Sequence, residues 1–242
     1  MSLPPRLFGF LTVLLLALIP SESPGQNAKK KPNPAMIPVK DVEGLPRILL
    51  IGDSISIGYT VAVQELMKGK ANVHRPLANC GPTTSGLANL DAWLETGGAG
   101  KSWDVIHFNW GLHDLKYMGP NGENLSDPKA ADSKPQVSPE DYRNNLTELV
   151  ARLKETGATL IWRNTTPVPE GAKGRVVGDS AIYNAIAAEV MEKAGIETHD
   201  LYSFAKERAA EIQKKADVHY TPEGSRVLAA DVARILDAVL AE

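Results

Sequence analysis

The run Ile48-Leu49-Leu50-Ile51, cut short by Gly52-Asp53-Ser54, constrains the fold of this chain more than any other stretch. Four apolar residues in succession describe a strand buried on both faces, as in a parallel sheet covered by helices. The pattern then repeats. From Leu45 onward, strand-like pieces are expected at Arg47–Ile51, Val73–Asn79 (weakened by Pro76), Asp104–Asn109, Ala158–Trp162 and Ile196–His199. Helix-like pieces lie between them, at Ile57–Met67 and Leu87–Glu95 among others. Ser138-Pro139-Glu140-Asp141 is a helix start: a capping serine, proline in the first helical position, and acids in the first turn. Tyr142, Leu146, Leu149 and Leu153 follow on one face, and Gly157 stops the helix. Ile182, Ile186 and Val190 mark another helix, ended by Gly195. Thr221-Pro222 opens the last, with Val227, Leu228, Val232, Ile235 and Val239 toward the core. This order predicts an α/β fold, a three-layer α/β/α sandwich around a mostly parallel five-stranded sheet with right-handed crossovers. Loops leaving the carboxyl ends of such strands converge on one edge, where ligands bind. Ser54, Gly81 and the stretch Trp110 to Asp114 all follow strands and fall on that edge.

Three segments precede or make up this domain. Arg6 stands before an uncharged, mostly apolar run from Leu7 to Ile19 that Pro20 ends, which reads as a signal peptide over residues 1–25. The run is too short to span a bilayer. Export to the periplasm or the medium is expected, with no stable membrane partner after cleavage; an uncleaved anchor is the competing reading. Residues 26–44 are rich in proline and lysine and read as a linker, and residues 45–242 form the domain. The formal net charge of −3 supplies no electrostatic reason to expect a nucleic-acid partner. Cys80 is the sole cysteine, so neither an intramolecular disulfide nor a cysteine-based metal site can form; it reads as a small buried residue.

A serine held where a buried strand leaves the sheet acquires meaning from the far end of the chain. There Asp217-Val218-His219-Tyr220-Thr221-Pro222 puts an acid and a histidine on a loop before a helix. Serine, histidine and aspartate are the minimum set for nucleophilic acyl transfer. The bland alternative is a Gly-Asp turn whose serine caps the next helix.

Four segments, Gly52-Asp53-Ser54, Asn79-Cys80-Gly81-Pro82-Thr83, Gly111-Leu112-His113-Asp114 and Asp217-Val218-His219, occur in the order and spacing of the SGNH (GDSL-like) hydrolases, which the chain resembles from about Arg47 onward. The resemblance implies a flavodoxin-like sandwich and a serine esterase with no cofactor and no metal. It implies Ser54 as nucleophile, His219 as general base, and the N–H groups of Ser54 and Gly81 in the oxyanion hole. Two positions depart from the family pattern. His113 stands where the family carries an oxyanion asparagine; its imidazole N–H can also donate, and Asn109 is a second candidate donor. Ala216 stands where the family carries the triad acid. Asp217 either reaches His219 through a local shift of the loop, completing a triad, or leaves a Ser54–His219 dyad.

Trp110 adjoins the third segment and either stacks on a sugar ring or belongs to the core. The long polar connection from Asp114 to Val137 is expected to shape the pocket rim. A short-acyl ester, such as an acetyl group on a carbohydrate, is the expected substrate. The alternatives are an SGNH-like carbohydrate-binding module with weak or no turnover, and a metal-dependent phosphoesterase, although no metal-spaced motif appears.

Overall fold

The computed structural model describes residues 32–242 and Met1; the expected signal peptide and the start of the expected linker lie outside the described residues. The main sheet contains β1 (Arg47–Ile51), β2 (Asn72–His74), β3 (Val105–Phe108), β6 (Thr159–Arg163) and β7 (Glu197–His199) in the order β2-β1-β3-β6-β7. All four pairings are parallel, with Leu50 opposite His107 and Ile51 opposite Phe108 at the centre. The chain first winds outward from β1 to β2, then returns past β1 to β3. Crossovers of one hand therefore place helices on both faces. Helices α1 (Ser54–Leu66) and α7 (Pro222–Leu240) pack together in one layer, and α2 (Thr83–Leu94), α3 (Pro139–Lys154) and α4 (Asp179–Ala194) in the other. The winding reverses between β1 and β3, which opens a crevice at their carboxyl ends. This is the expected sandwich.

Several boundaries differ from expectation. The second strand ends at His74, because the residue before a proline is pushed away from regular pairing and Pro76 has no N–H to give. Helix α1 begins at Ser54, three residues early: Asp53, not the serine, is the cap, and its carboxylate accepts from Ile55 N at 3.0 Å. In α4 the buried face is Tyr183, Ala187, Val190 and Met191, whereas Ile182 is 54% exposed. Tyr183 sets that orientation: its ring packs edge-on against Tyr142, 4.9 Å between centroids, and its hydroxyl donates to Val137 O. The connection from Asp114 to Val137 carries a small antiparallel ribbon, β4 (Tyr117–Met118) with β5 (Lys134–Pro135). Two short helices, α5 (Leu201–Glu207) and α6 (Ala209–Ile212), lead into the last loop.

The described part of the expected linker is docked. Asn33 caps a single 3₁₀ turn, Pro34–Met36, whose Ala35 is buried against α1. Asn72 clamps the following backbone, accepting from Val42 N and donating to Val42 O and Leu45 O. The Asp41 carboxylate takes Arg47, His74 and Lys101 together. Composition alone reads as a spacer here; partners on β1 and β2 make it part of the folded body.

Candidate active site

The first loop is built around a close approach. A side chain at Gly52 would come within 2.8 Å of Ser56 Cβ, so only glycine lets β1 turn directly into α1. Gly52 O accepts from Arg75 Nη2 at 3.0 Å and from Cys80 N at 3.3 Å, which fixes the turn from behind. Arg75 is buried, and burial lowers its pKa from the usual arginine value. Ser54 then sits in the first turn of a helix, where the unpaired N–H groups and the helix dipole favour negative charge.

The last loop brings the other two groups to it. Lys214 N donates to His219 O, and Thr221 N to Ile212 O, closing a tight hairpin before Thr221 caps α7. At its tip Ala216 has a φ of 54°. An alanine in this left-handed conformation costs about 1–2 kcal/mol. The turn lets Asp217 fold back on its own neighbour: Oδ1 accepts from His219 N at 3.1 Å and meets His219 Nδ1 at 2.6 Å. On the other side of the ring, His219 Nε2 lies 2.8 Å from Ser54 Oγ. A carboxylate can only accept, so the hydrogen sits on Nδ1 and Nε2 is free to accept the Ser54 hydroxyl proton. Burial alone would raise the Asp217 carboxyl; the two hydrogen bonds from His219, together with nearby positive charge including Lys214, hold it below the ordinary carboxylate range. The side chains of His219 and Asp217 are each 43% exposed, so the array opens to solvent. The structure thus brings Ser54, His219 and Asp217 into one hydrogen-bonded line, with the acid drawn from position 217.

Of the oxyanion candidates, Gly81 lies beside the first loop with a φ of 60°, its N–H donating to Asn79 Oδ1 at 3.1 Å. His113 is half-buried and makes no hydrogen bond to another described residue. Burial, with Lys116, Arg175 and His219 nearby, keeps its imidazole below the ordinary histidine range against the pull of Asp53, so it is neutral with an N–H to give. Asn109 is not such a donor. Its amide donates to Arg163 O, Thr165 Oγ1 and Trp110 O, and its oxygen accepts from Arg163 Nη2 at 2.6 Å, all inside the core. Trp110 is not a sugar platform either: it is fully buried, against Gly86, Leu149 and Phe108. Both residues point inward because Arg163 from β6 and Tyr142 from α3 arrive to bind the backbone and side chains there. Cys80 is buried as expected, its thiol pushed up to about 11 by burial. Among the described residues no three histidine, cysteine or acidic side chains gather as a metal site.

Sequence reasoning missed Asp114, which ties the second loop to the third. Its Oδ1 accepts from Thr83 N at 2.8 Å and from Thr83 Oγ1 at 2.6 Å, capping α2 from a distant loop, since the apolar ring of Pro82 has no group to do so. The other oxygen is buried without a partner. Burial outweighs the Thr83 hydrogen bonds and pushes the carboxyl up to about 7. The folded state then holds a proton that the unfolded state has released, so stability falls as pH rises from roughly 4 to 7. Chemical denaturation across that range, compared with Asp114→Asn, is expected to show this slope in the wild type and its loss in the variant, a difference on the order of a few kcal/mol. The comparison between the two proteins removes the opposite contribution of His107, whose complete burial holds its imidazole far below the usual range.

A model of the GDSL-like Lipase/Acylhydrolase family matches residues 50–227. A search of the curated proteins finds no match. Among solved structures, the acetyl xylan esterase AlAXEase is 13% identical with a TM-score of 0.61, the alignment covering 78% of this chain and 99% of that one. Axe2, an acetylxylan esterase from Geobacillus stearothermophilus, is 15% identical with a TM-score of 0.61, covering 82% and 95%. A lipase/acylhydrolase from Enterococcus faecalis is 18% identical with a TM-score of 0.61, covering 80% and 96%. At these identities the structures establish a shared fold.

Proposed function

This chain belongs to the GDSL-like lipase/acylhydrolase family, and we propose that it hydrolyses carboxylic esters through an acyl-enzyme on Ser54. The observation that carries the proposal is the unbroken line Ser54 Oγ, His219 Nε2, His219 Nδ1, Asp217 Oδ1, with separations of 2.8 and 2.6 Å across the ring. In this mechanism His219 Nε2 removes the hydroxyl proton as Ser54 Oγ attacks the ester carbonyl. The carbonyl oxygen becomes an oxyanion, held by the N–H groups of Ser54 and Gly81 and by the His113 imidazole. Gly81 N must turn from Asn79 toward the oxyanion, or share itself between them, as charge develops. His219 then protonates the departing alkoxide, and Asp217 stabilises the imidazolium between the two transfers. Water repeats the sequence and releases the acid.

A short acyl group, for instance an acetyl on a carbohydrate, suits the cleft. The cavity lined by Ser54, Lys214, His219, Tyr220 and Ser225 measures about 190 Å³, smaller than the roughly 300 Å³ at which pockets for drug-sized ligands begin. The acetylxylan esterases of the same fold support the same reading. From Arg6 and the run Leu7 to Ile19 we further propose that the enzyme is exported.

Treatment with a fluorophosphonate is expected to stop hydrolysis of p-nitrophenyl acetate and to add one phosphonyl group, located by peptide mass mapping on Ser54. Ligand binding without any label at Ser54 would leave the binding-module alternative in its place.

A further inference from the structure

Two cations, Lys116 and Arg175, stand near His113, and neither has a carboxylate within ion-pair distance among the described residues. Arg175 spends only Nε, which donates to Leu112 O at 3.1 Å, one residue before His113. Its two terminal nitrogens make no hydrogen bond to a described residue, and neither does Lys116 Nζ. The backbone brings the two residues to one place: Tyr117 N donates to Gly174 O at 2.8 Å, so Lys116 and Arg175 flank one interloop hydrogen bond, and each lies within range of the other's charge. That approach depends on Gly174, where any side chain would strike the backbone of Leu125. Both cations are half-buried. Arg175 feels the charges of Asp53 and Asp217, and His113 feels both cations together with His219, so the two cations lie within electrostatic range of the triad. The carboxylate nearest in charge to Lys116 is Asp114, which is buried and already committed to Thr83.

Holding an ammonium and a guanidinium together, partly out of water, is unfavourable unless an anion joins them. A clamp on Leu112 O explains Nε of Arg175 but leaves its fork and Lys116 without a role. A planar fork with a lysine beside it matches a carboxylate, sulfate or phosphate. We propose that Arg175 and Lys116 form an anion subsite beside the scissile bond, so that the preferred ester carries a negatively charged group in addition to the acyl group removed. This rests on the esterase reading above and narrows its substrate class.

The test compares kcat/KM within two pairs of esters. Mono-p-nitrophenyl succinate against p-nitrophenyl acetate places a carboxylate on the acyl side; 4-acetoxybenzoate against phenyl acetate places it on the alcohol side. In at least one pair the charged ester is expected to exceed the neutral one by about tenfold or more. That ratio should shrink with added salt, collapse toward one in Arg175→Gln, and recover in part in Arg175→Lys. Lys116→Gln should lower it independently, which keeps the test open if Arg175→Gln does not fold. Ratios of one or less in both pairs, or a ratio that survives both glutamine substitutions, would overturn the subsite while leaving the esterase intact. If no ester of either kind is cleaved, the acyl-enzyme reading fails. The subsite is then decided by ligand-observed NMR: preferential binding of 4-acetoxybenzoate over phenyl acetate, lost in the glutamine variants, supports it, and equal binding refutes it.

Discussion

Replacing Ser54 with alanine is expected to lower kcat for p-nitrophenyl acetate by about 10⁴-fold or more, the scale on which nucleophile removal acts in serine hydrolases. The substitution is clean. Position 54 opens α1, where alanine is an excellent helix former, and the cap of that helix is Asp53, which stays. The melting temperature should therefore hardly move while turnover collapses. His219→Ala should cost about as much, and the double variant little more than either, because the two side chains act as one unit through the 2.8 Å contact. Stopped assays at high enzyme concentration measure the residual rate. Turnover within tenfold of wild type in Ser54→Ala would remove this residue from the chemistry.

The second large effect concerns Asp217. Asp217→Ala is expected to lower kcat by about 10²–10⁴-fold, and Asp217→Asn by at least as much, through the wrong tautomer. The carboxylate accepts from both the backbone N–H and the ring Nδ1–H of His219. An asparagine can keep the backbone bond through its oxygen while turning its NH₂ toward the ring. That forces the imidazole hydrogen onto Nε2, where it can no longer receive the proton of Ser54. NMR of the ring nitrogens would register the tautomer directly, separately from the rate. Full activity in both variants would mean that a dyad suffices and that the 2.6 Å contact is incidental.

The layer order and the location of the site were legible because they rest on local patterns: continuous apolar strands, helix starts at Ser138-Pro139 and Thr221-Pro222, and polar residues just past strand ends. Ser54 and His219 followed from that. Asp217 was legible only as one of two outcomes. Its reach depends on the left-handed backbone at Ala216, a conformation that alanine disfavours and no neighbouring residue announces. Asn109 and Trp110 misled for another reason. Both sit one or two residues from a strand end, where a side chain is as easily inward as outward, and the decision is made by Arg163 and Tyr142 from elements far along the chain. Helices α5 and α6 span too few turns to show a period. The docking of residues 33–44 depends on Asn72 and His74, whose partners no composition reveals.

The packing of α1 against α7 joins the opening of the domain to its close, and Ser54 meets His219 although the two stand 165 positions apart in the chain. Contacts so distant along a polypeptide form late, after the loop-closure entropy has been overcome. A chain emerging from synthesis or refolding from denaturant can acquire its central strands well before it can turn over any ester. Recovery of catalysis therefore times the final docking event of folding rather than its onset, and the two can be followed separately in one refolding experiment.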